Sequence, residues 1–396
     1  MRPERRFKPG MDGGLTAASR ISPLHHLRTP VFLSKRWGPP QFQVTLATQT
    51  PGLDQGKTAY TLFRRPSLWS LWKVIRGADA VLIAGPSLAP MILSLLAQKP
   101  FFVEHHGYQA ACPNGLLLDK TRGGVCDQAF LRKQYRHCGR CLKKDHSLFR
   151  AGMQLGLTLL RRWICSRAAV HIPVSEHVST RIRLQPATVI YHGLPNASCP
   201  KTHSESGNSP RTRFAYIGRF VEEKGLPILL TAASHLRRKG VEFDLKFVGD
   251  GPLRSSLEGQ AEALGLRDIQ FTGFLSGEEL QRELEAVDVV VMPSIWEETA
   301  GLSAMDQMTR GRAVLAADIG GLGEVVGSGG VKFRPGDAED LADKMIQLTD
   351  PDFRRRIGNA ARERAQRLFR LEHMVAEHKA LILEAAQGAR REPVAV

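Results

Sequence analysis

DVVVMPSIWEETAGLSAMDQM, residues 288–308, opens as a run of β-branched residues. It stops at Pro293-Ser294, crosses an acidic pair and restarts as a helical pattern near Gly301. A short, uninterrupted apolar run closed by turn residues is the mark of a strand buried on both faces, as in a parallel sheet. The same unit recurs on both sides. Upstream, FAYIGRF (214–220), DLKFVGDGP (244–252) and IQFTGF (269–274) read as strands, separated by the helical stretches 226–240 and 254–266. Downstream, RAVLAADIGG (312–321) is a further strand and turn, and helices fill 338–349 and 352–368. Strand and helix in strict alternation predict a doubly wound α/β domain.

The N-terminal half carries the same signal less completely. FQVTLATQ (42–49), DAVLIAG (79–85), PFFVEHHG (100–107), AVHIPVS (169–175) and ATVIYHG (187–193) read as strands, and 148–168 as a helix with apolar residues around much of its girth. Residues 80–98 hold no charge, long enough to raise a membrane span. Gly85-Pro86 and Pro90 break the run, so it reads as strand, turn and short helix. KTHSESGNSPRT (201–212) is the linker signal. The expected plan is an N-terminal domain over 1–200, a linker at 201–212, a C-terminal domain over 213–370 and a terminal segment over 371–396.

The 396 residues carry a net charge of +16. Residues 1–200 hold 28 Lys+Arg against 9 Asp+Glu, which leaves 27 against 30 for the remainder. The basic excess thus sits wholly in the first half. Such a field attracts anionic partners, a membrane surface or lipid-linked phosphate among them, although a basic surface also serves solubility alone. No export signal is apparent in Met1–Gly14, which is basic and polar. A cytoplasmic protein is expected, with its six cysteines outside any disulfide framework.

Open parallel sheets bind ligands at the carboxyl ends of their strands. Three loops at that edge carry suitable residues. Gly218-Arg219 is followed five residues on by Lys224, two cations that suit phosphate oxygens. Gly249-Asp250-Gly251 allows close approach of a backbone to a base or ribose. In the third loop Glu298 precedes Thr299-Ala300-Gly301-Leu302, where a helix start presents free amides, and Asp306 follows two turns later.

GRFVEEKG, KFVGDGPL, FTGFLS, DVVVMPSIWEETAGLSAMDQM and RAVLAADIGGLGEVV resemble the signature run of the retaining glycosyltransferases of family 4, the glycosyl transferases group 1. The resemblance is strong over 210–385 and looser over 80–200. It implies a GT-B fold: two Rossmann-like domains across a cleft, with a final helix in 371–387 returning to the N-terminal domain. It also implies that Arg219 and Lys224 bind the donor diphosphate, that Glu298 contacts the donor sugar, and that the amides of 299–302 face the phosphates. Gly218 and Gly251 fall in the donor-binding loops. Asp306 stands where the family usually has Glu as the ribose acid, a reach shorter by one methylene. His106 resembles the family's acceptor-side His, with Gly107 in place of the usual Asp. Gly13-Gly14 resembles the glycine loop near the phosphates, but no apolar run precedes it.

Cys112, Cys126, Cys138 and Cys141 lie within 30 residues, the last two as Cys-x-x-Cys. A subset of the family has a similar insert. Structural zinc is the first reading of this spacing. Unligated thiols, an iron–sulfur cluster or a redox pair are the alternatives. The resemblance implies no cofactor for catalysis. The partners expected are a nucleotide-sugar donor, a glycan or lipid-linked acceptor and an anionic membrane surface, with no nucleic acid. A degenerate, non-catalytic transferase that only binds nucleotide sugar or an anionic partner is the competing reading.

Overall fold

The computed structural model describes residues 31–34, 43–49, 60–195 and 211–391. Gly13-Gly14, Cys199 and nearly all of the 201–212 segment lie outside them. Two six-stranded sheets and a small ribbon form the frame. The first sheet consists of β1 (Val31–Ser34), β2 (Gln43–Thr48), β3 (Thr61–Arg64), β4 (Ala78–Ala84), β5 (Phe101–His105) and β8 (Val170–Pro173). Between β5 and β8 the chain forms the ribbon of β6 (Leu118–Asp119) and β7 (Gly124–Val125). The second sheet consists of β9 (Thr212–Ile217), β10 (Phe243–Val248), β11 (Ile269–Gly273), β12 (Val289–Met292), β13 (Ala313–Ala317) and β14 (Val331–Phe333).

The second sheet runs β11-β10-β9-β12-β13-β14 with every pair parallel. This is the doubly wound order, and its switch point lies between β9 and β12, where the connections leave in opposite directions. Burial on both faces explains the unbroken apolar runs. On β9, Phe214 and Tyr216 pack into one layer and Ala215 into the other; on β12, Val289 and Val291 are separated in the same way from Val290 and Met292.

The first sheet runs β3-β2-β1-β4-β5-β8. β1 is antiparallel to both neighbours, while β2–β3, β4–β5 and β5–β8 are parallel. The uncharged stretch 80–98 divides into β4 and the helix Leu88–Leu96. Among the described residues no helix is long and apolar enough to cross a membrane.

One reading needs correction. ATVIYHG forms no strand: it runs beside β8 with a single bridge at Ala187 and two amide bonds, Thr188 N to the His171 carbonyl (2.9 Å) and Ile190 N to the Pro173 carbonyl (3.1 Å). Its apolar pattern reflects Ile190, 1% exposed, packing under the final helix rather than a ladder. β3, in contrast, gave no apolar run, because alternate residues of this edge strand are exposed.

The last helix, Leu371–Arg391, packs on the first sheet: Met374 and Ile382 join Ala80, Phe102, Ile172 and Ile190 in one cluster. Backbone bonds pin its start, Leu194 N to the Phe369 carbonyl (2.8 Å) and Leu371 N to the Leu194 carbonyl (3.2 Å).

Candidate functional site

The loops after β9 and β12 meet at the switch point. After β9 the chain makes a short 3-10 turn, Glu222–Lys224, which carries Lys224 inward. Its Nζ lies 2.8 Å from Glu298 Oε1, with both side chains largely buried, and 6.0 Å from the Trp296 ring centroid. The Ser294 hydroxyl donates to the same carboxylate oxygen. Arg219, by contrast, is 71% exposed and held loosely, 3.6 Å from Glu223. One cation is therefore neutralised in the wall of the site while the other stands in the open.

The glycines of this edge are used in a way the sequence did not reveal. A Cβ on Gly251 would lie 2.5 Å from the Phe220 carbonyl oxygen, and one on Gly249 would lie 1.9 Å from that of Gly218. The backbone that approaches these glycines is the protein's own: loops 218–220 and 249–251 pack directly together, tied by Phe220 N to the Asp250 carbonyl at 2.9 Å.

Gly301, at φ 72°, caps the helix Leu302–Thr309. Ala300 is buried beside it. Asp306 lies on this helix, but it is drawn back along it. Arg310 Nε bonds Oδ2 at 3.0 Å, Arg310 Nη2 reaches Oδ1 at 3.3 Å, and the Gln307 amide donates to Oδ2 at 2.7 Å. Both carboxylate oxygens are engaged within the helix itself.

Glu297 points the other way. Its carboxylate pairs with Arg181 and lies 3.5 Å from His177, both on the helix Glu176–Ile182 of the first half. Burial alone would raise this carboxyl; His177 and Arg181 outweigh it and hold it below the usual carboxylate range. Further bonds cross at the same place. Tyr108 Oη donates to the Glu297 carbonyl (2.9 Å) and Ser175 Oγ to the Thr299 carbonyl (2.6 Å). The Glu324 carboxylate accepts from the amides of Glu176 (2.8 Å) and His177 (2.7 Å) and from Tyr191 Oη (2.6 Å). It caps a helix that belongs to the other sheet. None of these cross-sheet partners has a spacing signal in the sequence.

His106 follows the end of β5. Its Nε2 lies 3.0 Å from Glu104 Oε2, and its ring stacks on His192 at 5.2 Å with a 6° tilt. His378, from the final helix, approaches the other Glu104 oxygen at 3.7 Å. Burial opposes charge on Glu104, yet His106 and His378 hold its carboxyl well below the ordinary range; Glu104 in turn raises His106 against the effect of burial. Glu104 and His106 share a strand face two residues apart, a signal the sequence does contain.

Cys112, Cys126, Cys138 and Cys141 line one pocket with Asn114 and His137. Cys112 Sγ donates to Asn114 Oδ1 at 3.0 Å, and Asn114 Nδ2 reaches Cys141 Sγ at 3.5 Å. Burial pushes the Cys112 thiol up to about 11 and the Cys138 thiol up to about 12, so thiolates here need a cation beside them. The donor set suits zinc. The thiols share the pocket without reaching ligand spacing: among the described residues, the triads with donor atoms within 4.8 Å are Glu104/His106/His192 and His105/Cys165/His171.

A mixed sheet and a fully parallel one, with a polar cluster at the switch point of the second, define the architecture, and solved structures share it. Sucrose-phosphate synthase from Thermosynechococcus elongatus superposes with a TM-score of 0.64 at 18% identity, over 86% of this chain and 88% of that one. HepE from Anabaena, solved with UDP-glucose, gives 0.58 at 19% identity, over 81% and 86%. The fold is GT-B. Residues 201–364 match the family model for glycosyl transferases group 1. The chain is 30% identical over 212 residues to 2-deoxystreptamine glucosyltransferase of Streptomyces kanamyceticus, covering 49% of this chain and 54% of that protein. It is 34% identical over 159 residues to alpha-D-kanosaminyltransferase of the same organism, covering 39% and 41%. The chain thus spans about half, or less, of the length of these relatives.

Proposed function

We propose that this protein is a retaining glycosyltransferase, moving a sugar from a nucleotide-diphosphate sugar to a hydroxyl of a glycan or lipid-linked acceptor. The observation that carries this reading is the division of labour after β9 and β12. Lys224 is locked on Glu298 at 2.8 Å, Arg219 stands exposed beside them, and a helix begins at Leu302. Charge grows on the diphosphate as it leaves. Arg219 and the helix start would stabilise that charge, joined by Lys224 once the sugar engages Glu298, while the acceptor hydroxyl approaches the same face. His106 occupies the acceptor side. The matched domain and the glycosyltransferase relatives support this class of chemistry.

The test is nucleotide diphosphate release from a panel of nucleotide sugars, with and without membrane extract. Release with one donor, stimulated by extract and lost in Glu298→Ala, is expected. Tight nucleotide binding with no release for any donor and acceptor would reduce the protein to a binding module, and no nucleotide binding would overturn the reading.

The setting we propose is cell-surface polysaccharide or lipopolysaccharide synthesis at the inner face of a membrane. The helix Leu148–Cys165 supports it, with Phe149 79% exposed, Trp163 57% exposed and no acidic residue along its length. Sedimentation with anionic but not neutral vesicles at low salt is expected; equal recovery with both would remove the membrane from the proposal. The four-cysteine pocket is proposed to hold a structural zinc, with no ion needed for catalysis. Elemental analysis is expected to show one equivalent of zinc fewer in Cys141→Ser than in the wild type.

A further inference from the structure

Around Glu104, three imidazoles converge from three separate parts of the chain. His106 follows the strand end, His192 comes from the segment beside β8, and His378 comes from the final helix. Glu104 and His192 are 8% and 6% exposed. Donor atoms of Glu104, His106 and His192 all lie within 4.8 Å of one another.

The spacing suits a shared ion. The Glu104–His106 separation of 3.0 Å is near that of two donors on one ion: ligands about 2.1 Å from a tetrahedral centre stand about 3.4 Å apart. The His192 ring stacks on that of His106, centroids 5.2 Å apart, and its nitrogen joins the same group of donors. His378, 3.7 Å from the other Glu104 oxygen, stands beside the triad.

Two imidazole nitrogens and one carboxylate oxygen are a borderline donor set, suited to zinc, cobalt or nickel rather than to magnesium or calcium. Three protein ligands leave a fourth coordination position open.

We infer that Glu104, His106 and His192 form a binding site for a divalent transition-metal ion, separate from the cysteine pocket. The ion occupies the Nε2 of His106 and removes that group from the acceptor side of the cleft, so it acts as an inhibitor. This last step rests on the transferase reading; the binding site itself does not.

The test uses the full chain, stripped with a chelator and titrated with Co²⁺ and then Zn²⁺. Cobalt on thiolates gives intense sulfur-to-metal charge-transfer absorption, whereas cobalt on imidazole and carboxylate gives only weak d–d bands. One ion per chain is expected to bind without adding to the charge-transfer band. Its affinity should fall about 10- to 100-fold in Glu104→Gln and in His192→Gln. Equal ion counts and equal affinities in wild type and in both variants, all folded by circular dichroism, would overturn the site. In the release assay, Zn²⁺ should inhibit the wild type and spare His192→Gln. Undiminished release with the ion bound would overturn the inhibitory step, and absence of release under every condition would fall on the transferase reading while the ion count still decides the site.

Discussion

Glu297 and Glu298 are neighbours in the chain and serve different regions of the molecule. Glu298 turns into its own domain, to Lys224 and Ser294, and joins the loops after β9 and β12. Glu297 turns across to Arg181 and His177 and holds the two halves together. A one-residue step along an extended loop reverses the direction of the side chain, so two identical acids end as a site residue and a fastener. Partners within a domain come from the loops at one sheet edge. Partners across the cleft come from wherever the other half presents a helix.

The largest effect should separate the two cations of the donor region. Lys224→Ala leaves a buried carboxylate without its counter-charge, a loss of about 3–5 kcal/mol in stability. Arg219→Ala, at an exposed position, should leave the denaturation midpoint nearly unmoved while transfer falls about 10²–10³-fold. Chemical denaturation and release kinetics on both variants check this, and a retained rate in Arg219→Ala would remove that residue from the mechanism.

A smaller effect belongs to the fastener. Glu297 sits below its ordinary range in the folded protein, so its contribution is complete above the unfolded carboxyl pKa of about 4.3 and is lost as pH falls through the lower folded value. Glu297→Gln should cost about 1.5–3 kcal/mol near neutrality and flatten the acid limb of the stability profile. Parallel acid limbs in wild type and variant would show that the pair contributes nothing. Smallest is Ser175→Ala, which deletes both a helix cap and the bond to the Thr299 carbonyl. About 1 kcal/mol is expected from the cap, read as a shift in urea midpoint without change in slope.

The contrast also explains what could be read from the residues alone. The second sheet was legible because strands such as VVVM are buried on both faces and bounded by turns, and its loops follow in order. Lys224 and Glu298, chosen by their places after strands, do meet. Asp306 was placed on the right helix, and its i,i+4 spacing to Arg310 is a legible pairing signal that the sequence reading did not use. Gly251 was read as room for a ligand, whereas Phe220 fills that side. The segment 187–193 was misjudged as a strand because it is an apolar run without a ladder, and β3 gave no signal because it is an edge strand without an apolar run. Tyr108, Ser175, Arg181 and Glu324 act across more than a hundred residues of chain, where local pattern carries no information.

Glu324 has a consequence for how the protein comes apart. The seven-residue helix it caps is too short to persist by its own propensity. Its first amides are satisfied by a carboxylate encoded about 150 residues later. A ribosome that has released only the first half has made a helix whose end is still unfinished. If the chain were cut in the linker and the halves expressed apart, each would carry the complement the other lacks, and reconstitution on mixing would be written into that single carboxylate.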